Sequence, residues 1–188
     1  MKNSIVPPES FKSMCLHPVT LAFRHKQRHL EKKFLDQYLT DSLSIVRITC
    51  LFAVLLYGVF GILDAVLIPD KKIVFWIIRY AVYCPFTLLI IAFTYTEKYR
   101  KVMQPVLSLT VILAGVGIIY MVLVASPPVT FSYYTGLILV FMLSYTVSRL
   151  RFIWATGSGW LLVLLYEITA VFFVKTPISV LINNNFFL

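Results

Sequence analysis

The letters ITCLFAVLLYGVFGIL occupy residues 48–63 and include no charged side chain. They form the centre of a longer apolar run, Ile45–Ile68, of about 24 residues. A helix rises 1.5 Å per residue, so about 20 residues cross the hydrocarbon layer of a bilayer. The whole chain of 188 residues is 60% hydrophobic and 13% charged, which is more apolar than a soluble domain and excludes intrinsic disorder of the whole. The sequence therefore predicts a multipass membrane protein.

Four more apolar runs follow the first, separated by short breaks that contain charged residues or proline: Ile73–Tyr95, Val102–Ala125, Phe131–Val147 and Phe152–Val174. The predicted fold class is an all-α, polytopic transmembrane helical bundle of five spans, covering residues 45–188. Short breaks make sequential spans antiparallel neighbours. The last residues, Phe186–Leu188, look like the first turn of another apolar helix. We therefore expect the start of a sixth span, from about residue 178 or 186, and a chain that is a fragment of a longer protein.

Residues 1–44 precede the first span and contain no apolar stretch long enough for a cleavable signal. We expect a disordered tail over residues 1–20. Over residues 21–44, Leu30, Phe34 and Tyr38 recur every four positions among basic residues, which predicts an amphipathic juxtamembrane helix. This helix is either a solvated linker or a surface that lies on anionic headgroups or pairs with a partner.

The basic residues predict the orientation of the bundle. With the N-terminus inside, thirteen lysines and arginines fall on the inner side, and only Lys71, Lys72 and Lys175 fall on the outer side. Such an excess is typical of cytoplasmic loops. We therefore expect a protein of the inner membrane with a cytoplasmic N-terminus. The formal charge of +9 is interpreted as topology and not as affinity for nucleic acid.

Motifs for metal binding and catalysis are absent from the sequence. His25 and His29 share a helix face, with Cys15 and His17 upstream, but lysine and arginine surround them and no glutamate completes a zinc motif. We interpret them as solvated residues and expect no metal and no cofactor. Gly157–Gly159 lacks the strand–turn–helix setting of a nucleophile elbow. The chain is therefore not expected to be an enzyme.

Three ionisable residues lie inside the predicted spans. Counted from the outer ends, Asp64, Arg79 and Glu167 lie roughly 6, 9 and 10 Å deep. Charges at membrane depth normally face inward and pair, and Asp64 shares a hairpin with Arg79, so this couple is expected first. Tyrosines in the same half are candidates for lining a pocket: Tyr120, Tyr133, Tyr134 and Tyr166. The cluster is a structural clasp, a sensing or binding pocket, or a proton or ion path.

Small residues recur at helical spacing and favour close helix packing in lipid: Gly58, Gly61 and Ala65 in the first span, Ala155 and Gly159 in the fifth. Pro85 lies in the middle of the second span. Proline removes a backbone hydrogen bond, so we expect a kink there, which would be a hinge or a static packing feature.

The order of these pieces resembles the six-helix N-terminal membrane domain of bacterial class III adenylate and guanylate cyclases and related signalling proteins. The resemblance spans about residues 23–188 and rests on short stretches in order: Phe34–Tyr38, Ser42–Arg47, Leu56–Asp64, Ile78–Tyr80, Cys84–Pro85, Met103–Pro105, Leu150–Ala155, Leu165–Glu167 and Asn183–Phe187.

The resemblance implies a role for the chain. It would anchor, and serve as a sensor for, a signalling protein that makes a cyclic nucleotide, as a homodimer in the bilayer with an unknown small ligand or membrane partner. The catalytic domain has no counterpart in this sequence, so the resemblance implies no cyclase activity for the chain itself. The rivals are a small transporter or half-transporter with the charge cluster as its coupling site, and an integral-membrane enzyme.

Overall fold

The computed structural model describes residues 28–127 and 129–188, and side chains from residue 41 onward. All regular elements in this part of the chain are helical. Seven α-helices follow one another: α1 (Arg28–Leu67), α2 (Lys72–Trp76), α3 (Cys84–Phe93), α4 (Tyr99–Val124), α5 (Thr135–Thr146), α6 (Phe152–Ile168) and α7 (Ile178–Phe187). Two π-helical segments, Ile77–Tyr83 and Thr169–Phe173, and two short 3₁₀ segments, Pro69–Lys71 and Val129–Ser132, complete them.

Five helical stretches are long and apolar enough to cross a membrane: Asp41–Leu67, Pro69–Phe93, Tyr99–Val124, Val129–Thr146 and Phe152–Phe173. They match the five predicted runs to within a few residues. Many of their large apolar side chains are exposed, as with Val66 at 74% and Phe172 at 72%. A helix that is apolar on all sides is stable in contact with hydrocarbon chains, so these outer surfaces fit a lipid bilayer.

The first helix includes residues of both the predicted juxtamembrane segment, 21–44, and the first predicted span. Helix α1 extends from Arg28 to Leu67. No proline occurs in that range, so no residue forces a break before Pro69. The predicted tail over residues 1–20 lies outside the described residues, as do Cys15, His17 and His25. For His29 only the helical backbone is described.

The chain divides into two units, residues 1–42 and 43–188, and the following account concerns the second. Its core contains large side chains that are almost fully buried: Tyr57, Phe75, Met121, Leu137 and Leu162. The most extensive contact between two elements is that of α4 with α6. Any side chain at Gly115 would overlap the isopropyl group of Leu162, so glycine is required there for the two helices to meet.

The predicted packing glycines do lie at close approaches. Gly58 and Gly61 face the ring of Tyr80, whose hydroxyl donates to the carbonyl of Gly58 at 2.6 Å. Trp76 Nε1 donates to the carbonyl of Gly61 at 2.8 Å, so α1 and the second span join through these glycines.

The other predicted packing positions vary. On α6, Ala155 is buried, and a side chain at Gly159 would meet the hydroxyl of Tyr145 on α5. Ala65 is only half-buried.

The irregularity expected at Pro85 lies on its N-terminal side. Pro85 lies in the first turn of α3. The seven residues that precede α3, Ile77–Tyr83, are π-helical. The N–H of Cys84 donates to the carbonyl of Arg79, five residues back. A π-helix is wider than an α-helix, so it absorbs the clash between the proline ring and the preceding turn.

After α6 the chain reverses direction. Lys175 has a positive φ of 52°, and the N–H of Thr176 donates to the carbonyl of Ala170 at 2.9 Å. Helix α7 begins at Ile178, the earlier of the two predicted starts. Its Leu181 packs against the core, so α7 returns alongside α6.

Candidate functional site

A buried ion pair joins the first two spans. Arg79 Nε donates to Asp64 Oδ2 at 2.5 Å, and Arg79 Nη2 donates to Asp64 Oδ1 at 3.2 Å. Asp64 is 1% exposed and Arg79 is 4% exposed. A two-point contact between a guanidinium and a carboxylate is the strongest form of this interaction. The pairing expected from the shared hairpin and the similar depths of the two residues is therefore present.

Tyrosines surround this ion pair. Tyr133, which follows the 3₁₀ segment before α5, donates its hydroxyl to Asp64 Oδ1 at 2.7 Å. The guanidinium of Arg79 lies 4.7 Å from the ring centroid of Tyr57, and its Nη1 donates to the Tyr57 carbonyl at 3.4 Å. The Tyr57 hydroxyl in turn donates to the carbonyl of Ala114 on α4 at 3.0 Å. The site thus ties four spans together.

Local structure explains why Arg79 reaches the interior. It is the third residue of the π-helix Ile77–Tyr83 and one of only two buried residues in it, the other being Tyr83. A π-helical turn contains more than the usual 3.6 residues, which shifts the face on which the following side chains lie. π-Helical turns are frequent at functional sites, where such a shift orients a specific group. Here the group that it places inside the bundle is the guanidinium.

A cavity of about 190 Å³ lies beside the ion pair. Asp64, Arg79 and Tyr133 form its polar wall. The remaining wall is mostly aliphatic and comes chiefly from α1 and α5, with α4 behind: Leu56, Leu63, Ile118, Leu139, Val140 and Leu143. The cavity therefore has one polar side and an otherwise apolar lining, which is the usual composition of a small-molecule site.

A second cavity of about 50 Å³ adjoins the first on the side toward Arg47. Both are lined by Ala53, Tyr83 and Leu143, so only side chains separate them. Hydroxyl groups are frequent in its wall, but they already donate to backbone carbonyls: Thr49 to Ile45, Thr110 to Val106, Ser144 to Phe141 and Ser148 to Ser144. The second cavity therefore extends the first without adding a charged group.

Glu167 does not join the ion pair, contrary to a cluster of all three charges. The structure gives Arg79 one carboxylate partner among the described residues, Asp64. Glu167 is half-buried on α6. Its Oε1 is buried and has no hydrogen-bond partner among the residues that the structure describes. Equal depth in the membrane does not place a residue on the same face, which is why the sequence grouped the three.

The four candidate tyrosines do not form one pocket. Tyr133 alone lines the large cavity, whereas Tyr120 is 48% exposed and Tyr134 packs against the edge of the core. Tyr166 is buried elsewhere and accepts a hydrogen bond from Asn184 Nδ2 of α7 at 2.8 Å.

Sequence reasoning missed two polar contacts. Asn184 is 2% exposed, and a lone amide in an apolar helix is a recognisable signal for a contact between helices. At the opposite end of the bundle, Arg47 Nε donates to Thr94 Oγ1 at 2.8 Å, and its guanidinium stacks 3.8 Å from the Tyr95 ring centroid.

The chemistry that the site offers is that of an ion pair with unused hydrogen-bond donors. In the described ranges, no group of three or more histidines, cysteines, aspartates or glutamates could hold a metal ion. The ion pair is electrically neutral overall. A guanidinium has five N–H donors, and the contacts above use three of them, so Arg79 keeps two that can meet an acceptor.

Comparison with known proteins adds no relative. No protein-family model matches the chain, and no curated protein or solved structure matches it either.

Proposed function

We propose that this chain is the membrane-embedded anchoring and sensory domain of a bacterial signalling protein that makes a cyclic nucleotide. In this proposal it lies in the inner membrane as a homodimer with its N-terminus in the cytoplasm. Dimerisation of the bundle brings two catalytic domains together. A ligand or a change in the membrane shifts the balance between helix arrangements by a few kcal/mol.

The proposal rests on the positions, within the structure, of the residues that carry the resemblance to cyclase membrane domains. The stretches shared with the cyclase membrane domains include Asp64 and Arg79, which pair, and Tyr57, which stacks on the guanidinium. Other residues of the stretches that carry the resemblance make two further contacts between elements. Gln104 accepts from the backbone N–H of Arg151 at 2.7 Å, and Asn184 bonds Tyr166. Short stretches scattered along the sequence thus supply the polar contacts that define one bundle.

The cavity supports a sensory role in addition to anchoring. An anchor requires only apolar helices, and a desolvated ion pair is weak evidence for stability because removing two charges from water offsets their attraction. Here the pair forms the polar wall of a cavity inside the membrane-spanning part. Such a wall gives a bound molecule both a fixed orientation and a way to alter the spacing of α1 and α5.

A reporter fusion tests the proposal. The chain is joined at Leu188, through one added membrane helix that returns the polypeptide to the cytoplasm, to a cyclase catalytic domain that is active only as a dimer, and cyclic AMP is measured in cyclase-deficient bacteria. We expect product well above that of the same domain on the added helix alone, which is chosen to be monomeric. The Lys72→Gln variant, altered at an exposed position at the start of α2, should keep this output. Output no greater than that of the monomeric anchor would contradict the proposal.

The transporter alternative is tested on the same protein. The buried ion pair beside a cavity is the observation that favours it, because coupling sites of transporters use charged residues at membrane depth. The purified bundle is placed in liposomes, and flux of protons and small ions is measured. We expect none above protein-free liposomes. Flux that Arg79→Gln abolishes and Lys72→Gln leaves intact would replace the sensory proposal.

A further inference from the structure

We propose that the cavity between α1 and α5 binds a neutral amphiphile from the bilayer, with an apolar body of about eight to ten carbon atoms and a carbonyl or hydroxyl oxygen that meets Arg79. This inference rests on the sensory role proposed above and names the chemical class of its ligand. Three features of the cavity lead to it: its volume, its charge balance and its position at the surface of the bundle.

The volume sets the size of the apolar body. A cavity of roughly 150 Å³ lined by leucine, isoleucine and phenylalanine stays dry and takes up benzene. The cavity here measures about 190 Å³ and has a similar aliphatic lining. It therefore holds a body somewhat larger than benzene. The adjoining space of about 50 Å³, which shares Leu143 with it, can receive the end of a chain.

The charge balance selects a neutral polar group. A carboxylate in the cavity would face Asp64, and an ammonium would face Arg79, so either ion meets a like charge that is already desolvated. A carbonyl or hydroxyl oxygen adds no charge. It can accept from the N–H donors of Arg79 that neither Asp64 nor the Tyr57 carbonyl uses. Buried donors of this kind lower the free energy when an acceptor reaches them.

The position of the cavity indicates the route of entry. Leu63 and Leu67 both line it, and they are 48% and 47% exposed on α1. On the facing side, Ser132 and Thr135 line it and are also exposed. The cavity therefore reaches the outer surface of the bundle between α1 and α5. In a bilayer that surface meets lipid, so the ligand enters sideways from the hydrocarbon region.

Photolabelling of the full chain in lipid nanodiscs tests the inference. The probe is decan-2-one with a diazirine in its chain, and labelled residues are located by mass spectrometry. We expect labels on the walls of the cavity, and we expect unlabelled decan-2-one to reduce them. Decane, which lacks an acceptor, and decanoate, which carries a charge, should each compete about tenfold less well, the factor of one hydrogen bond of about 1.4 kcal/mol.

Two matched variants show whether the label reports the cavity. Leu56→Trp fills it from α1, whereas Leu55→Trp adds the same ring to the neighbouring position, which is 59% exposed and lies outside the lining. We expect Leu56→Trp to lose about 90% of the labelling, as a tenfold weaker site would, and Leu55→Trp to keep it. If Leu56→Trp fails to fold, Leu139→Trp on the opposite wall takes its place.

Two results would overturn the inference. One is labelling that spreads evenly over the exposed apolar faces and ignores the cavity-filling variants, since this is the behaviour of a bulk lipid chain. The other is equal competition by decane and decan-2-one. The reporter fusion does not use the photolabelling probe. A dimer-dependent output without specific labelling would therefore contradict only the proposed class of ligand. Specific labelling without reporter output sinks only the proposed signalling role.

Discussion

Removing the guanidinium of Arg79 should be the most damaging single change in the bundle. In Arg79→Leu, Asp64 stays 1% exposed with the Tyr133 hydroxyl as its remaining hydrogen-bond donor. Breaking a buried ion pair from one side costs about 3–5 kcal/mol, because the remaining charge is desolvated and unpaired. The free energy of unfolding is measured by SDS titration in mixed micelles.

The double variant Asp64→Asn with Arg79→Gln separates the ion pair from the general effect of mutation. It replaces both charges with neutral amides, so no buried charge is left behind. We expect the double variant to lose at least about 2 kcal/mol less free energy of unfolding than the sum of the losses in the single variants Asp64→Asn and Arg79→Gln. The exposed Lys72→Gln should change the free energy by no more than about 0.5 kcal/mol.

Two outcomes would refute this reasoning. A loss below about 1 kcal/mol in Arg79→Leu would mean that water or lipid headgroups solvate Asp64 in the membrane protein. Strict addition of the two single losses would mean that the residues do not interact energetically, despite the 2.5 Å contact between Arg79 Nε and Asp64 Oδ2.

Four further predictions concern two contacts, the orientation of the bundle and the activity of the chain. Tyr133→Phe removes the 2.7 Å hydrogen bond to Asp64 and should lower the free energy of unfolding by about 1.5–3 kcal/mol in the same titration, since the acceptor is charged. Asn184→Ala should leave the buried Tyr166 hydroxyl without its 2.8 Å donor and speed backbone hydrogen exchange in α7 relative to α6; equal exchange in the two proteins would contradict this. A Pro127→Cys variant of the chain with its own cysteines replaced should react with an impermeant maleimide in intact cells, because the count of basic residues puts this loop outside; reaction only after lysis would reverse the orientation. The purified chain should make no cyclic nucleotide from ATP or GTP with Mg²⁺ or Mn²⁺, and reproducible product would show that it contains a catalytic site.

Features that depend only on a residue's position along a helix axis, such as the spans and the depth of a residue within them, can be predicted from the sequence. The five apolar runs follow from composition alone, and the depths of Asp64 and Arg79 follow from a rise of 1.5 Å per residue. Their pairing is also predictable, because a short break makes the first two spans neighbours. The same arithmetic placed Glu167 at equal depth and failed to place it on the right face. Rotation about the helix axis is set by packing among spans, which a single sequence does not encode in a readable pattern.

Local disturbances of a helix are harder to place from the sequence. Pro85 signals that the second span is irregular, but the irregularity lies in Ile77–Tyr83 and not at the proline itself. A π-helix forms where tertiary contacts favour a wider turn, and here Arg79 gains its ion pair from it. The hydrogen bond from Tyr133 to Asp64 also depends on tertiary packing. Predicting it would require knowing that α5 lies beside α1.

The cavity is the feature that distinguishes a binding site from a clasp. A bundle that served only as an anchor would gain stability if a side chain filled this space. Leu56→Trp makes that comparison directly. If the space is only a packing fault, the variant unfolds at a higher denaturant concentration. The cyclase fusion that contains it then makes as much cyclic AMP as the unsubstituted fusion, with and without decan-2-one. If the space receives a ligand, the variant gains the same stability, but its output no longer responds to decan-2-one. The Leu55→Trp variant, with its ring on the exposed face, should leave both stability and response unchanged.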